Sequence, residues 1–245
     1  MNEFVAPSGR LVSHTQTAYL LAIAFDLLPE NLVPKAAGFL AADVEKFKHL
    51  TTGFLGTPLL CKILSEIGRD DLAFMLLNRK QYPGWLYPVT QGATTIWERW
   101  DGQKPDGSFQ DVGMNSFNHY AYGAIGEWLY TYVAGIKIDA ENPGYKHFFL
   151  APHPGGGLTN AAATFQSVYG EIKSGWKIEN GQMVYEVKVP ANTTATVSLP
   201  SAQLEKVTVN SVALKENALM AATQTGKSVS LKLGSGEYKF SYPVN

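Results

Sequence analysis

The apolar residues of this chain change their spacing near residue 146, and one fold layer cannot serve both patterns. Upstream they recur at the helical period. In "HTQTAYLLAIAFDLLPE", Ala18, Leu21, Ala22, Phe25 and Leu28 fall on one face, and Pro29 closes the run. A second helical pattern runs from about Glu30 to Phe47, and a third from Pro58 to Ile67 stops at Gly68. A fourth starts at Asp70 and Asp71, whose carboxylates suit a helix N-terminus. Residues 82–117 carry enough proline and glycine to read as long ordered loops. "NHYAYGAIGEWLYTYVAG" then reads as a last helix, capped by Ser116 or Asn118 and stopped by Gly135. Past residue 146 the pattern alternates. Ile172, Ser174, Trp176 and Ile178 share one parity, the chain turns at Asn180-Gly181, and Met183, Tyr185, Val187 and Val189 resume the alternation. An Asn-Gly pair between two such runs is a strong hairpin signal. Further strands are expected in "KVTVNSVAL", "KSVSLKLG" and "GEYKFSYPV". The expected fold is therefore α+β and multidomain: helical hairpins over residues 1–146, then an antiparallel β-sandwich or barrel over residues 147–245.

Charge and cysteine content exclude several function classes. With 20 Lys and Arg against 21 Asp and Glu, the chain has no basic field for a nucleic-acid backbone, so no nucleic-acid partner is expected. Cys61 is the single cysteine, which rules out an intrachain disulfide and a cysteine zinc cluster. No apolar stretch approaches the ~18 residues of a membrane span, and no basic segment leads into an apolar one at the start. The sequence thus reads as a soluble globular protein with neither membrane span nor signal peptide, its compartment open between cytoplasm, periplasm and secretion. "PHPGGGLTNA" lacks the Lys-Ser or Lys-Thr of a phosphate loop and reads as a turn joining the two halves. Asp106 and Asp111 in "KPDGSFQDVG" do not fit an EF-hand spacing and read as turn residues. No cofactor and no metal are expected.

The candidate chemistry lies in "GATTIWERWDG", which sets Glu98 among Trp97, Arg99, Trp100 and Asp101. A glutamate on a loop between aromatic side chains can be held in a dry wall, where partial desolvation makes it a better base. It can equally pair with an arginine on a rim. Trp85, Trp97 and Trp100, with Tyr87, offer flat apolar faces that can stack on a ligand, although each alone also suits a core. His119, expected in the first turn of the last helix, can hydrogen-bond a hydroxyl or a water without being charged, or serve as a cap.

The stretch "TGFLGTPLLCKILSEIGRDDLAFMLLNRKQYPGWLYPVTQGATTIWERWDG", followed by "PDGSFQDVGMNSFNHYAYGAIGEWLY" and "PGYKHFFLAPHPGGGLT", closely resembles the C-terminal region of the bacterial α-L-rhamnosidases of glycoside hydrolase family 78. The resemblance covers nearly the whole chain, in several motifs in the same order. It implies an (α/α)6 catalytic barrel, of which this chain looks like the last half, followed by a β-sandwich. It also implies an inverting glycosidase that removes terminal α-L-rhamnose from glycosides or polysaccharides. By the match to "TTIWERW", Glu98 looks like the general base, and by the match to "NHYAYG", His119 looks like a substrate contact; Trp85, Trp97 and Trp100 are the candidate sugar-wall residues. The family's general acid lies upstream of everything present here, so the missing N-terminal half is an implied partner and this chain alone is expected to be inactive. Half a barrel leaves apolar helix faces uncovered, which makes a homo-oligomer an expected state. The alternative is a non-catalytic carbohydrate-binding or structural module, which would have no use for a carboxylate poised beside a water. Other (α/α)6 hydrolases, such as unsaturated glucuronyl hydrolases or fucosidases, match these motifs less specifically.

Overall fold

The computed structural model describes residues 3–217 and 220–244, which form two compact units divided after Gly126. The first unit is helical: α1 (Gln16–Ala24), α2 (Val33–Phe47), α3 (Thr57–Glu66), α4 (Asp70–Leu77) and α5 (Leu86–Thr90). Thr15 caps α1, its side chain accepting from the Ala18 amide at 3.2 Å. Prolines in the first turns of α2 and α3 sit where a missing N–H costs nothing. Gly68 ends α3 at φ +76°, a left-handed conformation that glycine adopts without strain. The apolar faces meet in a core of Tyr19, Leu20, Ala36, Leu40, Val44, Leu60, Ile63, Leu64 and Ala73, all buried. Through it α1 packs on α2 and α3, and α3 on α4. The fully buried Gln16 completes the frame: its Nε2 donates to Asp43 Oδ1 and the His49 carbonyl, and its Oε1 accepts from the Thr51 amide at 2.8 Å. These bonds satisfy a polar side chain that would otherwise be costly to bury. The helix α5 falls inside the stretch expected to be all loop, because five residues containing a proline carry no periodicity to read.

Residues 121–133 do not form the regular helix expected of them. They wind through a 3-10 turn (Ala121–Ala124), an α-helical turn α6 (Ile125–Trp128) and a π-helical turn (Leu129–Val133). Gly123 and Gly126 weaken the helix interior, and the Ala134 amide reaches back five residues to the Leu129 carbonyl at 2.8 Å. The 3-10 turn starts after Tyr120, so neither Ser116 nor Asn118 is its N-cap.

The second unit carries two sheets. One has the order β1-β2-β6-β10-β9, from β1 (Ile136–Ile138), β2 (His147–Leu150), β6 (Thr194–Leu199), β10 (Ser228–Leu233) and β9 (Ala222–Thr225). The other runs β3-β4-β5-β11-β7-β8, from β3 (Asn160–Ser167), β4 (Gly170–Glu179), β5 (Gln182–Val189), β11 (Gly236–Pro243), β7 (Thr208–Val209) and β8 (Val212–Ala213). The expected alternation is realised. Ile172, Ser174 and Trp176 of β4 face inward with Met183, Tyr185, Val187 and Val189 of β5, and Asn180-Gly181 turns between them at φ +51° and +71°, a mirror-image turn suited to strand twist. Three details differ from the sequence expectation. The pair β2–β6 is parallel, His147 to Leu150 running alongside Thr194 to Val197, so the sandwich is antiparallel-rich rather than wholly antiparallel; such long-range pairing leaves no local signature. The sheet begins at Ile136, ahead of residue 146, in a strand of three residues too short to show alternation. "PHPGGGLTNA" runs from after β2 into β3, inside this unit rather than between the halves.

The π-turn is anchored within this unit by side chains of β4. Ser174 Oγ donates to the Ala134 carbonyl and pairs with the Tyr185 hydroxyl at 2.8 Å, while Trp176 Nε1 donates to the Val133 carbonyl at 2.7 Å. Carbonyls at a helix end lack intrahelical partners, and here the sheet supplies them. Gly135 then turns at φ +86° against the Ala151–Pro152 backbone, where an added Cβ would lie 2.3 Å from the Pro152 nitrogen.

Candidate active site

The candidate site is assembled where two extended segments of the helical unit zip together. The His119 amide donates to the Ile96 carbonyl at 2.8 Å, the Glu98 amide donates to the Ser116 carbonyl at 2.8 Å, and Thr95 Oγ1 donates to the Phe117 carbonyl. The Ser116 amide returns a bond to Glu98 Oε2 at 2.7 Å. Glu98 is thus fixed at its backbone and at one carboxylate oxygen. Below it, Asn115 Nδ2 donates to the Gly102 carbonyl at 2.9 Å and Tyr87 Oη to the Gln103 carbonyl at 2.9 Å, tying the adjoining loop to both α5 and the second segment. The loop closes on itself through an Asp106 turn. The Ser108 hydroxyl and amide both donate to Asp106 Oδ1 and hold that carboxyl below the usual carboxylate range. Asp111 accepts likewise from the Gly113 amide at 2.8 Å. Both aspartates are turn residues, and among the described residues no group of three or more His, Cys, Asp or Glu side chains is placed to hold a metal ion.

Glu98 lines a pocket of ≈ 260 Å³ with Phe54, Tyr82, Arg99, Trp100, Asp101, Met114 and Tyr122. Arg99 is beside Glu98 in sequence but turns to Asp101, Nε to Oδ1 at 3.4 Å, and Gln110 Nε2 donates to Asp101 Oδ2. Both Asp101 oxygens are therefore engaged. Among the described residues Glu98 Oε1 has no hydrogen-bond or ion-pair partner, and Arg99 forms its ion pair with Asp101 instead. One wall of the pocket is a run of rings. Trp85 stands edge-on to Trp100 (5.4 Å, 85°), Trp100 stacks on Tyr122 (3.8 Å, 14°), Tyr122 tilts against Phe54 (5.3 Å, 53°), and Phe54 stacks on the His119 imidazole (4.8 Å, 15°). Burial pushes the Tyr122 hydroxyl up from its ordinary pKa, so it stays a donor at neutral pH.

The sequence-derived candidates fall into two groups. Glu98 and Trp100 line the pocket, and His119 joins its wall through Phe54. His119 precedes the 3-10 turn instead of sitting in a helix's first turn, and its Nδ1 accepts from the Ala121 amide at 3.3 Å. Trp85 and Trp97 are packed behind. Trp85 is buried with Nε1 donating to the Tyr122 carbonyl at 2.9 Å, and Trp97 is buried edge-on to Phe117 at 5.1 Å. Neither lines the pocket; Trp85 backs its wall through Trp100, and Trp97 packs on Phe117. Phe54, Tyr82, Met114 and Tyr122 were not singled out from the sequence. Phe54 is an aromatic between Gly53 and Gly56 with no helical or alternating role, which was the one available signal; Tyr122 shares a motif with His119.

Comparison with known proteins places the chain in a family. Residues 1–133 match the bacterial alpha-L-rhamnosidase 6 hairpin glycosidase domain, and residues 135–213 match the bacterial alpha-L-rhamnosidase C-terminal domain. An alpha-L-rhamnosidase of Streptomyces avermitilis is 41% identical over 238 residues, covering 97% of this chain and 22% of the relative. One from Formosa agariphila is 48% identical over 200 residues, covering 81% of this chain and 21% of the relative. The crystal structure of Streptomyces avermitilis alpha-L-rhamnosidase complexed with L-rhamnose superposes with a TM-score of 0.88 at 40% identity, over 98% of this chain and 22% of that one. The chain spans about a fifth of the length of the relatives it matches. With helical hairpins followed by a β-sandwich, and a family match that takes in more than half of its residues, the chain belongs to the bacterial α-L-rhamnosidase six-hairpin glycosidase family.

Proposed function

We propose that this chain works as part of an inverting glycoside hydrolase that removes terminal α-L-rhamnose from glycosides or polysaccharides, and that it supplies the general base but not the general acid. The observation that carries this reading is the state of Glu98. Its carboxylate is held through Oε2 by the Ser116 amide, faces an aromatic-walled pocket, and keeps Oε1 without a partner among the described residues. In this mechanism Oε1 takes a proton from a water as its oxygen attacks the anomeric carbon, while a carboxylic acid on the opposite face protonates the departing glycosidic oxygen. Asp101, the other carboxylate of the pocket, has both oxygens engaged by Arg99 and Gln110, which supports the reading that the acid lies outside these residues. Trp100 and Tyr122, stacked on each other, contribute apolar edges to the pocket for the sugar's C–H groups and methyl group, and Trp85 backs Trp100. His119 donates to a sugar hydroxyl from Nε2. A relative solved with L-rhamnose supports the choice of sugar.

The stereochemical outcome tests the mechanism. Proton NMR of the first product released from an aryl α-L-rhamnoside by the enzyme containing this chain is expected to show β-L-rhamnose before mutarotation. Initial release of the α-anomer would contradict inversion, and turnover by these 245 residues alone would show that an acid lies among them.

A further inference from the structure

We propose that Phe54 is a positioning residue that clamps the His119 imidazole in one orientation beside the Glu98 pocket, and so sets affinity for the sugar rather than the rate of the chemical step. The inference rests on the reading of His119 as a substrate contact. Phe54 is the pocket-lining residue whose ring meets His119, at 4.8 Å and 15°, and the same ring leans on Tyr122 at 5.3 Å. Tyr120 stacks on the imidazole too, at 5.2 Å and 12°. Both rings are nearly parallel to the imidazole, but Tyr120 is 88% exposed, so Phe54, which also contacts Tyr122, is the more firmly held of the two. The third constraint is the Ala121 amide, which donates to Nδ1 at 3.3 Å and leaves the proton of the neutral ring on Nε2. Together these fix where the Nε2–H points.

Phe54 is 44% exposed and lies outside the buried core of the helical unit. Its backbone position is that of a turn before α3, where the Thr57 amide donates to the Gly53 carbonyl at 3.0 Å, so the ring is presented by a short hydrogen-bonded loop. Preorganising a donor in this way reduces the ordering cost that binding otherwise carries.

The test combines kinetics of the enzyme containing this chain with long-range nitrogen–proton NMR of the His119 ring. Phe54→Ala is expected to raise KM about two- to tenfold, the range set by one aromatic pair, with kcat within about twofold. The His119 spectrum should then lose its single Nε2–H pattern. Phe54→Tyr, which keeps a flat ring, should restore both, and Phe54→Leu, which keeps bulk without the ring, should restore neither. In a His119→Ala background the Phe54→Ala penalty should vanish. A penalty that persists there in full, or an imidazole spectrum untouched by Phe54→Ala, would overturn the proposal. Unchanged KM in His119→Ala alone would instead overturn the reading of His119 as a substrate contact, while the spectrum would still decide whether Phe54 orders the ring.

Discussion

Trp176 shows how one side chain serves two layers of the second unit. Its ring belongs to the alternating inward face of β4, and its Nε1 satisfies the Val133 carbonyl at the end of the π-turn. Trp176→Phe keeps most of the apolar ring but strands a buried carbonyl, which is expected to cost about 1–3 kcal/mol. Urea unfolding measures this directly; an unchanged midpoint would mean that water or a shifted neighbour replaces the bond. The same logic separates the tryptophans of the site. Trp85 and Trp97 spend their surfaces on internal contacts, whereas Trp100 shares a stacked wall with Tyr122 at the pocket. Spacing in the sequence placed all three near Glu98 but carried no information about which faces were already taken, because that depends on Phe117 and Tyr122, at least 17 residues beyond the last of them.

Among the elements, the start of α4 is a charged junction. Arg69 donates through Nε and Nη2 to Asp71 at 2.8 and 2.7 Å, and through Nη2 to Glu45 of α2 at 2.6 Å. The Arg69 hydrogen bond holds the Asp71 carboxyl below its ordinary value. A carboxyl depressed by folding contributes stability above its unfolded pKa of about 4 and loses it as pH falls through the folded value. The groups are largely exposed and screened by solvent, so Arg69→Ala is expected to cost only about 0.5 kcal/mol at neutral pH. Thermal melts of the two proteins should converge in acid; a gap that widens there would reverse the sign of the argument. Element-level structure was the most legible part of the sequence. The Asn180-Gly181 turn and the helices stopped by Gly68 and started at Asp70 were written in local residue chemistry. The 3-10, α and π sequence over residues 121–133 was not, since its π-turn is anchored by Ser174 and Trp176, whose bonds span 40 and 43 residues. The parallel β2–β6 pair is non-local for the same reason.

At the scale of the whole molecule, the helical unit leaves the large apolar residues Phe25, Leu27, Leu55, Val89 and Val112 exposed. We expect the isolated chain to self-associate through such surface, and light scattering over a concentration series checks this; a monomer at high concentration would count against it. The central claim, however, concerns Glu98. Glutamine in its place preserves shape and an oxygen that can still accept from the Ser116 amide, but it cannot take a proton from water. The decisive measurement is kcat, alongside rhamnose affinity, for Glu98→Gln in the enzyme containing this chain. The account predicts a loss of about 10²–10⁴-fold in kcat with affinity nearly retained, whereas near-normal turnover would show that the base is another residue.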